Sequence, residues 1–236
     1  MVGDNDRAPN SEFPEAPGSG AIHTRHVPWS QGGVIMTTRR RLLVLALFLP
    51  TAAMAPTSPS APVEALDQTI LAVMHAGRTR SFAQRMQMLT PTVQAAFDLP
   101  LILGRAVGPR FATFPSPVQD ALLEVFTEFT VASYVTNFDD YNGERFDILP
   151  QTRGAGTDEV VQTLLRLADG DTVKLDYVVH QRIGSWKIID VLLNGAISRV
   201  AVQRSDFRSL LGGGDAAPLI ASLRGKVLRL AAGQKD

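Results

Sequence analysis

Apolar residues in the first half of the folded region recur with the spacing of a helix. In residues 63–76, Val63, Leu66, Ile70 and Val73 fall on one stripe, because residues three and four positions apart share a helix face. Three short helices follow, each preceded by a residue that can cap it: 82–89 after Ser81, 91–97 after Thr90, and 99–107 after Asp98. This part of the chain is therefore predicted to be helical.

A longer helix is predicted to begin with Ser116 as its N-cap and Gln119 completing a capping box, and to run to about Asp139. It has two apolar faces. One carries Val118, Leu122, Val125, Phe129 and Ala132, and the other carries Phe126, Tyr134 and Phe138. A helix of this kind is buried on both sides, or is buried on one side and lines a cavity with the other.

Beyond this helix the apolar period changes to two, which is typical of strands. Four strands are predicted, at 145–149, 159–167, 172–180 and 186–193. In the third, Val173, Leu175, Tyr177 and Val179 alternate with more polar residues, which indicates one covered and one largely wet face. Gly154–Gly156 is interpreted as a hairpin loop.

The C-terminal region returns to helical spacing over 197–211 and 217–230. The order of elements predicts an α+β fold: N-terminal helices and a long central helix packed on a mainly antiparallel four-stranded sheet, followed by C-terminal helices. A cavity between the helices and the sheet is expected from the doubly apolar long helix.

The N-terminal region has the three parts of a secretory signal peptide at residues 36–55. Arginines at 39–41 precede an apolar run at 42–49, and cleavage is expected after Ala55 or Ala53. The apolar run is too short to cross a hydrocarbon core, which needs about 20 residues. We therefore expect an exported, periplasmic protein with no integral membrane segment after cleavage.

The signal peptide also defines the domain boundaries. Because a cleavable signal lies at the start of a chain, residues 1–35 are expected to be untranslated or disordered. Residues 56–62 are predicted to be a tether rich in Pro, Ser and Ala, and residues 63–232 to form one folded domain.

Composition excludes several function classes. Lys plus Arg equals Asp plus Glu, at 23 each, so no charge excess favours nucleic acid as a partner. There is no cysteine, which excludes disulfides and thiolate chemistry. His75 and His180 lack metal-ligand spacing, and no G-x-S-x-G motif presents a nucleophilic serine. We therefore expect no metal site and no hydrolase triad.

One pair of residues keeps an enzyme open as the alternative. Asp190 lies inside an apolar strand, where burial could raise its pKa, and Tyr134 could supply a phenol beside it. This pair would suit a small cone-fold isomerase or hydrolase. The competing interpretation is structural, with Asp190 accepting hydrogen bonds from loop amides or pairing with Arg199 or Arg204.

Several segments, in order along the chain, resemble the MlaC-like family, also called toluene-tolerance auxiliary components. They are residues 132–144 (ASYVTNFDDYNGE), 175–177 (LDY), 185–191 (SWKIIDV), 194–198 (NGAIS) and 204–207 (RSDF). Two further segments, RMQMLTP and FDLP, look closest to the hopanoid-associated branch, HpnM. Val135 and Asn194 depart from the residues usual in the family, which have Ala and Glu there.

The resemblance implies a periplasmic lipid carrier without catalytic activity or cofactor. Its ligand would be a phospholipid or a hopanoid, and its partners would be subunits of an inner-membrane ABC transporter that maintains outer-membrane lipids. An adaptor that only contacts such a transporter is a third possibility. The predicted lipid-binding wall consists of Leu101, Leu122, Val125, Phe126, Phe129, Tyr134, Phe138, Val173, Leu175, Tyr177, Val179, Trp186 and Ile188.

Overall fold

The computed structural model describes residues 58–234 and shows a mixed helical and antiparallel fold, which confirms the α+β class. The helices are α1 (Ala61–Ala76), α2 (Phe82–Ala96), α3 (Leu99–Val107), α4 (Ser116–Asn137), α5 (Arg199–Leu210) and α6 (Ala217–Ala231). The predicted signal peptide and the segment before it lie outside the described residues. Helix α1 begins at Ala61, inside the segment predicted to be a tether.

The sheet has six strands rather than the predicted four. The strands are β1 (Arg145–Ile148), β2 (Arg153–Ala155), β3 (Asp158–Arg166), β4 (Thr172–Arg182), β5 (Ser185–Leu193) and β6 (Ile197–Ser198). Their order is β1-β3-β4-β5-β6, and every pairing is antiparallel. The two missed strands, β2 and β6, are too short to show an alternating pattern.

The missed strands complete the two edges of the sheet. β1 pairs with the second half of β3, and β2 pairs with its first half, so the two together form one broken edge strand. β2 includes Gly154 and Ala155 of the segment predicted to be a hairpin loop, and the turn that follows consists of Gly156, with φ +70°, and Thr157. β6 pairs with the end of β5 directly before α5 begins.

Helix α2 is continuous through Pro91, which corrects the prediction of two helices separated at Thr90. Proline lacks the N–H that would bond to the carbonyl of Gln87 one turn earlier. Thr90 is not a cap, because its hydroxyl donates to the carbonyl of Met86 at 2.8 Å. A helix interior can tolerate this proline because packing of its apolar face stabilises the helix.

Of the three other predicted caps, those at α2 and α3 are confirmed and the one at α4 is wrong. Ser81 forms both bonds of a capping box at α2, and Asp98 accepts from the N–H of Leu101 at α3. At α4 the N-cap is Pro115, and Gln119 instead donates from its side chain to the carbonyl of Phe114. Ser116 is therefore the first helical residue and not the cap.

The helices pack against one face of the sheet and enclose a continuous apolar core. Its fully buried members come from all layers: Leu66 and Ile70 of α1, Leu122 of α4, Leu219 and Leu223 of α6, and Val161, Tyr177 and Ile188 of the sheet. The junction between α2 and α3 is bonded to β5, since the N–H of Asp98 donates to the carbonyl of Ile188 at 2.9 Å. This contact brings Phe97 onto the sheet.

The opposite face of the sheet was predicted to be largely wet, but some of its residues are buried. One is Val160 of β3, which pairs with Val178 of β4. Asp176 on β4 is fully buried. It lies 3.4 Å from the ammonium of Lys174 and 3.8 Å from the guanidinium of Arg153, which is on β2. The two long cationic side chains cover the carboxylate, because their aliphatic stems can lie along the sheet surface.

Candidate functional site

A cavity of about 320 Å³ lies between α4, α3, α5 and the covered face of the sheet. This volume is at the lower end of the range for small-molecule sites, about 300–1,000 Å³. Most of its lining is apolar: Phe97, Leu99, Ile102, Phe126, Phe129, Tyr134, Phe138, Leu165, Val173, Leu175, Tyr177, Val191, Leu193 and Val200. The polar lining residues are Thr130, Ser133, Asn137, Asp190, Arg199 and Gln203.

Helix α4 supplies the longest part of the wall. Phe126, Phe129, Ser133, Tyr134 and Asn137 line the cavity, and their spacing of three and four residues places them on one helix face. Aromatic rings connect this face to the neighbouring elements. Tyr134 stacks on Phe138 with ring centroids 6.0 Å apart, and Phe97 approaches Tyr134 at 5.9 Å.

The sheet supplies the facing wall. Strand β4 contributes Val173, Leu175 and Tyr177 from alternate positions, and Leu165 of β3 lies directly opposite Val173 in the register. Strand β5 contributes Val191, which is paired with Tyr177. Cross-strand pairs and alternate positions share one face of a sheet, so this wall is continuous and apolar.

The predicted lipid-binding residues divide into two groups. The structure brings Phe126, Phe129, Tyr134, Phe138, Val173, Leu175 and Tyr177 together around the cavity. The remaining ones, Leu101, Leu122, Val125, Val179, Trp186 and Ile188, do not line it. Leu122, Val125, Val179 and Ile188 are buried in the solid core, and Trp186 packs against that core while partly exposed.

The geometry explains why the second group was misplaced. Leu122 and Val125 lie earlier on α4 than the cavity-lining residues. Val179 and Ile188 lie beyond a register shift between Val178 and Val179, at the other end of the two strands. Periodicity identifies which face of a helix or strand is covered, but not where along that face a void lies.

Three parts of the lining were not predicted from the sequence: Leu99 and Ile102 of α3, the residues of α5, and the polar residues of α4. Thr130, Ser133 and Asn137 stand three or four residues from predicted wall residues, so helical spacing could have identified them. Arg199 and Gln203 share a face of α5 at the same spacing. Their position across from α4 depends on the path of the chain through β6, which no local pattern indicated.

Asp190 holds the beginning of α5 against β5. One carboxylate oxygen accepts from the N–H of Val191 at 2.8 Å and from the N–H of Val200 at 3.1 Å, and the other accepts from the hydroxyl of Ser198. Ser198 in turn caps α5 by accepting from the N–H of Ala201. These bonds match the structural interpretation of Asp190, in which it accepts from loop amides.

Asp190 and Tyr134, the candidate catalytic pair, do not contact each other through a hydrogen bond. No hydrogen bond links Asp190 to Tyr134 in the described part of the chain, although both line the cavity. Burial raises the pKa of the Tyr134 phenol, the charge of Asp67 raises it further, and Arg199 opposes the shift. Burial likewise raises the pKa of Tyr177. Both phenols therefore stay protonated near neutral pH and are poor candidates for a catalytic base.

A buried acid lies behind the cavity wall. Asp67 of α1 is buried, and neither of its carboxylate oxygens has a hydrogen-bond partner among residues 58–234. Burial raises the pKa of Asp67 to about 8, and the nearby charge of Glu64 adds to the shift. Asp67 also influences the pKa of Tyr134 and of Tyr177, which places its carboxyl group near both phenols.

The remaining candidate groups have structural contacts. The His75 ring lies against Tyr141, with centroids 3.7 Å apart, and Nδ1 of His180 lies 2.6 Å from the carboxylate of Asp158. Within residues 58–234, no group of side chains is arranged to hold a metal ion. No helix in that same part of the chain is both long and apolar enough to span a membrane.

Fold and site together define a class: an α+β protein with an apolar, polar-rimmed cavity suited to binding a small amphiphilic molecule. The family model described as MlaC protein matches residues 64–225, which is more than half of the chain. The chain therefore belongs to the MlaC family. This confirms the resemblance predicted from the motifs, whereas the assignment to the hopanoid-associated branch stays a prediction.

Among solved structures, the chain is similar to the phospholipid-binding protein from Ralstonia solanacearum in complex with a phospholipid. The TM-score is 0.65 and the sequence identity is 19%, and the match covers 74% of this chain and 99% of the other. At this identity the similarity concerns the fold. A comparison with curated proteins yields no match.

Proposed function

We propose that the protein is a periplasmic lipid carrier that shields lipid tails in the cavity between α4 and the sheet. The observation that carries this proposal is the cavity itself, whose wall is apolar on both the helical and the sheet side. Membership of the MlaC family and the similarity to a phospholipid-binding protein support a binding protein rather than an enzyme.

A lipid carrier has to keep the apolar tails of its ligand out of water. Each methylene group removed from water contributes about 0.8 kcal/mol, so a free two-chain lipid does not cross an aqueous space unaided. A cavity of about 320 Å³ suits part of the hydrocarbon of such a lipid rather than the whole molecule. The ligand is a phospholipid or a hopanoid, and its tails are the part that enters.

Export and transfer complete the proposal. The signal-peptide pattern at residues 36–55 directs the chain to the periplasm, and cleavage after Ala53 or Ala55 leaves α1 intact, since that helix begins at Ala61. The carrier then exchanges lipid with the subunits of an inner-membrane transporter. The carrier itself moves the lipid between the inner and the outer membrane.

One experiment tests export and lipid binding together. The protein is expressed from its full sequence, released gently from the periplasm and examined by native mass spectrometry. We expect a polypeptide mass that begins after Ala53 or Ala55, with an additional mass that dissociates as a lipid. As a control, the delipidated protein is incubated with phospholipid vesicles, which we expect to restore the additional mass. An empty protein that takes no lipid from the vesicles would contradict the proposal.

A further inference from the structure

The cavity contains a cation without a protein counter-ion. Arg199, the first residue of α5, lines the cavity and is partly buried. It forms no hydrogen bond or ion pair with any other residue of the range 58–234, although its charge acts on the Tyr134 phenol. A guanidinium group carries five N–H donors and is always charged, so partial burial without a partner is unfavourable.

The neighbouring carboxylate does not supply the missing partner. Asp190 also lines the cavity, but its two oxygens accept from Val191, Val200 and Ser198 at the start of α5. Position is also unfavourable for Arg199, because the N-terminal turn of a helix carries partial positive charge and favours anions. Local structure therefore gives no reason for a cation at this point.

Two amide side chains also line the cavity, one a helical turn from Arg199 and the other a helical turn from Tyr134, on whose phenol the charge of Arg199 acts. Gln203 lines it from one turn further along α5, and Asn137 lines it from the last turn of α4. Neither side chain has a hydrogen-bond partner in the described part of the chain. The two helices are in contact further along, where the rings of Phe126 and Phe207 meet edge to face at 6.3 Å.

Asn137 is the only exposed residue of the cavity lining within residues 58–234. Arg199 and Gln203 are partly exposed, whereas Phe126, Leu175 and Tyr177 at the wall are buried. An amphiphile whose tail occupies the apolar wall therefore places its head group beside Arg199. The three side chains together offer a guanidinium fork and two amide N–H₂ groups, which is a donor set for an anionic oxygen group.

We infer that Arg199, supported by Gln203 and Asn137, binds the anionic head group of the ligand at the mouth of the cavity. This inference rests on the proposed carrier function and narrows its ligand class. The ligand carries a phosphate or carboxylate close to its apolar tail, because an uncharged triterpenoid would leave the guanidinium group unpaired. A phospholipid meets this requirement and an uncharged hopanoid does not.

The test compares two probes that share a tail and differ in charge. Decyl phosphate and decanol are titrated by calorimetry into delipidated wild-type protein and into the Arg199→Gln variant. We expect the wild type to bind decyl phosphate more tightly than decanol. The variant is expected to weaken decyl phosphate binding about tenfold, as for the loss of one charge-assisted contact, and to leave decanol binding unchanged.

Two matched variants test whether the effect depends on the position of the arginine and on the shape of its guanidinium group. Arg208→Gln removes an exposed arginine from the last turn of the same helix, and we expect it to leave binding of both probes unchanged. Arg199→Lys keeps the charge but loses the planar fork, and we expect an intermediate affinity for decyl phosphate. Thermal melting of each variant checks that the fold is retained.

The possible results distinguish this inference from the carrier proposal. If Arg199→Gln weakens decanol and decyl phosphate equally, Arg199 shapes the cavity, and the head-group inference fails while the carrier function stands. If inorganic phosphate alone displaces decyl phosphate at similar concentration, the site binds free anions and the inference also fails. If the wild type binds neither amphiphile, both the inference and the carrier proposal are overturned.

Discussion

The layer between α4 and the sheet has two ends that share an apolar composition but differ in packing. At one end Leu122, Val125 and Val179 are buried within a solid core. At the other end Phe129 and Leu175 are also buried, but they face a cavity of about 320 Å³. The comparison teaches that burial alone does not distinguish a core residue from a wall residue.

The difference arises from what covers each end. Toward the solid end, the N–H of Asp98 donates to the carbonyl of Ile188 and holds the junction of α2 and α3 against β5, with Phe97 at the border of the cavity. At the cavity end, the side chains of α3, α4, α5 and the sheet surround a void instead of filling it. Atoms that line a void too small or too apolar for ordered water lose dispersion contacts with neighbouring atoms. The cavity therefore lowers the stability of the fold.

The largest expected effect is a pH dependence of the unfolding free energy caused by Asp67. It tests whether water reaches this buried carboxyl group behind the cavity wall. Burial raises the pKa of Asp67 to about 8, above its value near 4 in an unfolded chain. The folded state then binds more protons between these values, so stability is fully present below about pH 4 and is lost as pH rises through about 8. We expect a loss on the order of 3 kcal/mol between pH 5 and pH 8, measured by urea unfolding.

The matched variant for this prediction is Asp67→Asn, which cannot ionise. We expect its unfolding free energy to be nearly independent of pH over the same interval and to exceed that of the wild type at pH 8. If both proteins show the same pH dependence, water from the cavity reaches Asp67 and the carboxyl group is hydrated.

A pair of tryptophan substitutions tests the difference in packing between the solid end and the cavity end. Val125→Trp inserts a large ring into the solid end, where overpacking costs about 1–3 kcal/mol. Leu175→Trp places the same ring at the cavity wall, where it fills empty space, and we expect a smaller cost or a slight gain. Thermal unfolding of delipidated protein measures both. Leu175→Trp is also expected to lower the amount of lipid that copurifies.

Equal destabilisation by the two tryptophans would contradict the distinction between the ends. It would mean that the cavity collapses in solution and that Leu175 is an ordinary core residue. If Val125→Trp lost lipid without losing stability, the cavity would have to extend along α4 as far as Val125.

The smallest expected effect concerns the rim of the cavity. Asp190→Asn removes the charge that holds the start of α5, and we expect it to cost about 1 kcal/mol, as for the loss of a helix cap. Lipid binding is expected to remain close to the wild-type level. The exposed Asp206→Asn on the same helix serves as the control. Loss of lipid with unchanged stability would show that Asp190 contacts the ligand.

The sequence predicted the fold class well because long periodic segments carry it. Helix α4 and strands β3, β4 and β5 were all predicted near their observed bounds, since each buries one regular face. The errors fall where local signals are weak or are overridden by packing. Strands β2 and β6 contain too few residues for a pattern, and Pro91 lies inside a helix that tertiary contacts stabilise.

The cavity could be predicted only in part. The α4 rings and the β4 alternation identified facing walls, and Phe126, Tyr134, Leu175 and Tyr177 do line the void. The contributions of Leu99, Ile102 and Arg199 depend on how α3 and α5 are placed by the chain path. Such placement arises from contacts between residues distant in sequence, which periodicity does not describe.

The broken edge of the sheet has a consequence for the chain in concentrated solution. β1 and β2 divide the outer edge of β3 into two short pieces. On the opposite side, β6 pairs with the last two residues of β5, and the N–H of Asp98 bonds to Ile188 nearer the middle of that strand. Neither border therefore presents a long, flat strand on which a second copy could continue the hydrogen-bond ladder. This arrangement protects the folded domain against joining sheet to sheet into fibrils.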